Sequence, residues 1–169
     1  PDPVGTGAVE ELRRTCRVCR EERRWLVVGP AYATEDLRDA VCARCVADGS
    51  AAERFDARFT DLSGSDTEGV PRAVLDEIER RTPGFSGWQQ ERWLFCCGDG
   101  AAFLGAVGWS GVAHLPDAVA ALRFDVEGWG LPAEIVDDVL CSLDADGEPT
   151  AYLFRCLHGG RHQAYADMP

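Results

Sequence analysis

"CRVCREERRWLVVGPAYATEDLRDAVCARC", residues 16–45, opens and closes on a Cys-x-x-Cys pair. Cys16 and Cys19 make the first pair, Cys42 and Cys45 the second, and 22 residues lie between them. Such a knuckle bends the backbone so that two sulfurs converge, and zinc takes four ligands at tetrahedral corners about 2.3 Å away. The spacing therefore predicts a zinc ribbon with Cys16, Cys19, Cys42 and Cys45 as structural ligands. Between the knuckles, Trp25 to Val28 reads as a short apolar strand, Gly29-Pro30 as a turn, and Ala31 to Thr34 as a return strand. The expected module is a β-hairpin whose two ends the metal pins. Two disulfides are the competing reading. Redox chemistry is a third, but a redox Cys-x-x-Cys follows a strand and opens a helix, and a second pair would be superfluous. A zinc site contributes about 10 kcal/mol or more, so this segment is expected to fold only with metal.

The chain of 169 residues is long enough to bury a core without covalent staples, and the charged and apolar fractions are those of a globular protein. Its net charge of −12 argues against duplex DNA or an anionic membrane as the main partner. No apolar run approaches the roughly 20 residues that span a bilayer. All 17 basic residues are arginine, a bias attributable to codon composition. Six of them, Arg13, Arg14, Arg17, Arg20, Arg23 and Arg24, crowd the first knuckle. They read either as a nucleic-acid patch or as counterions to the interleaved glutamates and to an anionic four-thiolate centre. The second reading fits the acidic chain better, so nucleic acid is not the expected partner.

After the second knuckle, Ala51 to Phe59 is predicted to be helical, with Ser50 at the N-cap and Glu53 completing a capping box. The Gly-, Ser- and Asp-rich stretch 61–71 divides the chain into a ribbon module at 1–60 and a second domain at 61–169. In that domain, helices are predicted after Pro71, over Pro116 to Phe124, and from Pro132 to Leu143. The last presents Ile135, Val136, Val139, Leu140 and Leu143 on one face, with Cys141 opposite. Strands are expected at Trp93 to Cys96, Ala151 to His158 and Gln163 to Tyr165. The fold class is thus α+β: an N-terminal zinc ribbon packed on a helix-rich domain with a small antiparallel sheet.

"FCCGDG", residues 95–100, poses a second question. Adjacent strand residues point to opposite faces, so Cys96 and Cys97 are not expected to grip one ion. Gly98 lets the chain turn at Cys97, which would then meet Cys156 and His158 as a second zinc site, with His162 or Cys141 as a fourth ligand. Cys96 would pack inward. Buried free thiols remain an equal reading. A catalytic one needs Cys97, His158 or His162, and Asp99 as thiol, base and orienter, or a zinc-bound water at the Cys97, Cys156 and His158 cluster acting as a hydrolase. No H-E-x-x-H, G-x-S-x-G or P-loop motif supports catalysis.

Five blocks, "PDPVGTGAV", "CARCVADGSAAERFD", "TPGFSGWQQERW", "CCGDGAAFLG" and "EPTAYLFRCLHGGRHQAYADM", together resemble the CbrC family, bacterial proteins named for a colicin-tolerance protein. The resemblance spans essentially the whole chain. It implies a cytoplasmic, zinc-binding protein, with a short segment upstream of the first block and a link to toxin tolerance. It also implies a Cys-x-x-Cys pair near the C-terminus. Here Cys156-Leu157-His158-Gly159 lacks the second cysteine, which puts a complete second site in doubt. The function expected on these grounds is a protein-interaction module of toxin defence, more a binder than an enzyme. Its partner would be a basic toxin or effector, with Phe85, Trp88 and Trp93 either as anchors or as core residues.

Overall fold

The structure, a computed structural model, describes residues 2–169. It is a mixed α+β fold with small antiparallel sheets. The chain divides into two compact units: Asp2–Ser86 with Glu91–Trp93, and Gly87–Gln90 with the residues from Leu94 onward. The sequence placed its division at 60/61, whereas the helix at 72–81 belongs with the first unit.

The N-terminal unit opens with strands β1 (Val9–Thr15) and β2 (Glu22–Val27), paired antiparallel from Val9↔Val27 to Thr15↔Glu22. The hairpin tip is the first Cys-x-x-Cys turn, which closes the hairpin instead of pinning its far ends. A bulge interrupts the register between Glu11 and Arg14, where Arg13 adopts φ of +48°. Ala31 to Thr34 does not form the expected strand. Pro30 cannot donate to a ladder, and Tyr32 makes one isolated bridge, to Arg58. The strand-like partner that β2 gains beyond β1 is Cys42, bridged to Leu26.

Two short helices follow, α1 (Ala43–Ala47) and α2 (Ser50–Phe55). Gly49, at φ of +82°, takes the N-cap that the sequence assigned to Ser50. Ser50 lies inside the first turn, where its N–H donates to Asp48 Oδ1 at 3.0 Å. Asp56 turns left-handed at φ of +45° and ends α2 four residues short of the prediction. Phe59 is buried all the same. Helix α3 (Arg72–Arg81) follows the loop at 61–71 and buries Ile78. The core of this unit gathers Val9, Val27, Leu37, Val41, Val46 and Phe59 around Cys16, Cys42 and Cys45.

The C-terminal unit begins with a two-residue-per-strand hairpin, β3 (Phe95–Cys96) and β4 (Asp99–Gly100). Strands β5 (Ala102–Val107), β6 (Thr150–Arg155) and β7 (His162–Asp167) form an antiparallel sheet in that order. Between β5 and β6 run α4 (Trp109–Val112), α5 (Pro116–Glu127) and α6 (Ala133–Cys141). Helix α5 packs along β7 and against α6. Alternation along β6 serves two layers. Ala151 and Leu153 join Leu122, Val126, Val136 and Leu140 in the helix-facing core. Tyr152 and Phe154 join Phe103 and Tyr165 in an aromatic layer, with ring centroids 5.1–6.4 Å apart. Of the predicted α6 stripe, Ile135 stays exposed and Val136, Leu140 and Leu143 are buried. Cys141 is exposed, on the side away from that core.

Candidate metal centres

The sulfurs of Cys16, Cys19, Cys42 and Cys45 lie within 4.8 Å of one another, and three of the four side chains are buried. The backbone explains the convergence. In the first knuckle, Cys16 N–H donates to Glu21 O at 2.9 Å and Arg20 N–H to Cys16 O at 2.8 Å, with Arg20 at φ of +60°. The loop thereby brings residues 16 and 19 to the same side. The second knuckle opens α1: Cys42 is its N-cap and Cys45 lies in its first turn. Two further contacts prepare the sulfurs for a cation. Cys42 N–H donates to Cys16 Sγ at 3.3 Å, and Arg23 Nε–H to Cys19 Sγ at 3.5 Å.

The surroundings of these thiols shift them in opposite directions. The Arg23 guanidinium, helped by the Glu21 backbone N–H, brings Cys19 down to about 6. Burial pushes Cys45 up to about 12 and raises Cys42 as well. Four sulfur donors, tightly grouped, fit a tetrahedral soft-metal site, and all eight cysteines are free.

Five of the six arginines crowding this centre are engaged with carboxylates. Arg13 and Arg24 pair with Glu11 at 3.1 and 2.7 Å, Arg14 with Asp39 at 3.7 Å, Arg17 with Glu35, and Arg23 with Glu21.

In the C-terminal unit the sulfurs of Cys96, Cys97 and Cys156 form a second group, all within 4.8 Å of one another. Cys96 Sγ and Cys97 Sγ are 3.4 Å apart, and Cys156 Sγ is 3.8 Å from Cys97 Sγ. Sequence reasoning excluded Cys96, because it assumed a continuous strand. Cys97 and Gly98 instead have φ of +58° and +74°, the two-residue hairpin turn that joins β3 to β4. That turn swings Cys97 back beside Cys96, and the Cys-Gly dipeptide after a short apolar run was the available signal.

His158 does not join the sulfurs. Strand β6 ends at Arg155, so Cys156 and His158 lie in a turn and share no strand face. His158 Nε2 sits 3.0 Å from Asp99 Oδ2. His162 N–H donates to Asp117 Oδ2 at 2.6 Å, at the start of β7. The Gly159 backbone N–H, then Cys96, draws Cys156 down to about 7, while Cys96, sharing its proton with Cys156 and Cys97, is pushed up to about 12.

Of the three aromatics considered as anchors, Phe85 and Trp93 are buried, their rings 6.2 Å apart. Only Trp88 is open to a partner, 47 % exposed. It is held by its own N–H on Asp167 Oδ2 (2.8 Å) and its indole N–H on Thr150 Oγ1 (3.1 Å).

The profile of UPF0167, described as an uncharacterised protein family, matches residues 1–168. The chain belongs to the UPF0167 family. UPF0167 proteins of Mycobacterium bovis and Mycobacterium tuberculosis are each 52 % identical over 168 residues, covering 99 % of this chain and 90 % of theirs. A UPF0167 protein of Pseudomonas aeruginosa is 37 % identical over 169 residues, with 99 % and 92 % coverage. No solved structure matches. These UPF0167 relatives carry no name that ties them to CbrC or to colicin tolerance. Among the described residues no helix is long and apolar enough to cross a membrane.

Proposed function

We propose that this UPF0167 chain is a zinc protein that acts by binding another protein, with Cys16, Cys19, Cys42 and Cys45 holding a structural ion. The observation that carries the zinc assignment is a four-sulfur group, three of its side chains buried, at the core that defines the N-terminal unit. A closed set of four protein ligands leaves no position for substrate, which is the mark of structural zinc and not of a hydrolytic centre.

Support for a protein partner comes from charge. At −12, the surface attracts a cationic protein and repels nucleic acid. The resemblance to CbrC narrows the expected partner to a basic toxin or effector, in toxin tolerance or stress defence. The binding test is a pull-down of purified cationic nuclease-type toxins at low and high salt. Association that falls steeply with ionic strength is the expected result, because screening shortens the range of surface charge to about 10 Å at 0.1 M. Retention that ignores salt, or no retention of any basic protein at low salt, rejects the partner assignment and leaves the zinc assignment standing.

A further inference from the structure

The turn that follows β6 repeats the first zinc knuckle bond for bond. In the first knuckle, Cys16 N–H donates to the carbonyl five residues on, and the N–H four residues on, that of Arg20, returns to Cys16 O. In the second, Cys156 N–H donates to Arg161 O at 2.8 Å, and Gly160 N–H returns to Cys156 O at 3.1 Å. The residue four positions on is left-handed in both, Arg20 at +60° and Gly160 at +70°. In the first knuckle, the position three residues on carries Cys19. In the second it carries Gly159, whose N–H approaches Cys156 Sγ at 3.4 Å.

Facing this turn is the β3–β4 hairpin with Cys96 and Cys97. Sulfurs bound to one tetrahedral zinc at about 2.3 Å are separated by about 3.8 Å. The Cys96–Cys97 and Cys97–Cys156 sulfur separations of 3.4 and 3.8 Å are close to that edge, and all three sulfurs lie within 4.8 Å of one another. Three corners are therefore filled by sulfur. The fourth lies on the Gly159 side, where an added Cβ meets nothing within 4 Å, and Cys97 beside it is exposed.

We propose that Cys96, Cys97 and Cys156 form a second, three-thiolate zinc site whose fourth coordination position, at Gly159, is open to a small ligand from solution. Soft thiolate donors select a thiophilic ion, and the open corner makes the centre exchangeable where the first is closed. The ligand class that competes best for that corner is a small thiol, which completes an all-sulfur shell. This rests on the chain's general zinc chemistry but on a different set of residues.

The test is metal content of the full chain, together with the spectrum of its cobalt(II) form. Cys97→Asn is the first variant, because asparagine tolerates positive φ and is a poor soft-metal ligand. Cys96→Ala is the second. Each is expected to lower bound metal from about two equivalents to about one, while Cys16→Ser removes the other equivalent. Gly159→Cys is expected to keep both equivalents and to slow release of the second to a chelator. The difference spectrum between the chain and Cys97→Asn should shift when 2-mercaptoethanol is added, and the Gly159→Cys spectrum should not.

One equivalent in the parent chain, unchanged by Cys97→Asn and Cys96→Ala but lost with Cys16→Ser, overturns this site alone. Two equivalents with no thiol response, or with the response retained in Gly159→Cys, overturn the open corner. No metal in any variant overturns both zinc readings.

Discussion

Removing the ion proposed for the N-terminal unit is expected to unfold that unit outright. The local elements cannot stand alone. Helices α1 and α2 have five and six residues, well under the roughly 12–15 needed for an isolated helix, and β1 pairs only with β2. The core residues Val9, Val27, Val41 and Val46 are organised around Cys16, Cys42 and Cys45 themselves. A structural zinc of this type contributes about 10–16 kcal/mol, while the whole net stability of a domain is about 5–15 kcal/mol. The loss therefore equals or exceeds everything the unit has. Cys16→Ser, at a side chain with no exposed surface, should have the same outcome as a strong chelator. The assay is a two-dimensional amide NMR spectrum with elemental analysis on the same sample. Collapse of signals from 2–86 to random-coil positions, with those of β5 to β7 still dispersed, is the expected result. A metal-free sample that keeps full dispersion and an unchanged thermal midpoint would refute the reasoning.

Three other outcomes follow from the C-terminal unit. Asp117 lies at the start of α5 and is held below its ordinary 3.8, chiefly by the His162 N–H. A depressed carboxyl contributes stability above its unfolded value and loses it as pH falls through the folded one, so Asp117→Asn should cost about 1 kcal/mol at pH 7 and flatten the acid limb below about pH 4 in urea titrations. Asp167→Ala strands the N–H groups of Trp88 and Gln89, now at 2.8 and 3.0 Å from its carboxylate, and should cost about 2–4 kcal/mol with a red shift of tryptophan emission. Leu140→Ala empties a fully packed position between α6 and the sheet and should lower stability by about 2–5 kcal/mol in denaturant melts.

The parts of the fold legible from sequence were those specified by local chemistry. Spacing alone marked the four cysteines of the first centre, and proline positions with apolar periodicity marked α3, α5 and α6. Strand β1 was not legible. Its "VEELRRT" leaves five of seven side chains exposed, so no alternating apolar face announces a strand. Helix α1 was hidden because it is only five residues long and its N-cap is Cys42, a cysteine of the first group. The second cysteine group was half legible. Cys97 and Cys156 were visible as candidates, but the strand rule that separated Cys96 from Cys97 fails once two consecutive residues take positive φ. His158 was drawn in by the same rule, applied past the point where β6 stops.

The route of the polypeptide between Ser86 and Leu94 bears on how the molecule can be dissected. Residues 87–90 cluster with the later part of the chain and 91–93 with the earlier part. A fragment begun at Leu94 would discard Trp88 and Gln89, exposing the Asp167 carboxylate and the Thr150 hydroxyl that they cover. A fragment ended at Ser86 would forfeit Trp93, whose ring sits by Phe85 and whose N–H donates to Ser65 Oγ at 2.7 Å. No single cut yields two intact halves, so isolating either one calls for an overlap that keeps 87–93 on both.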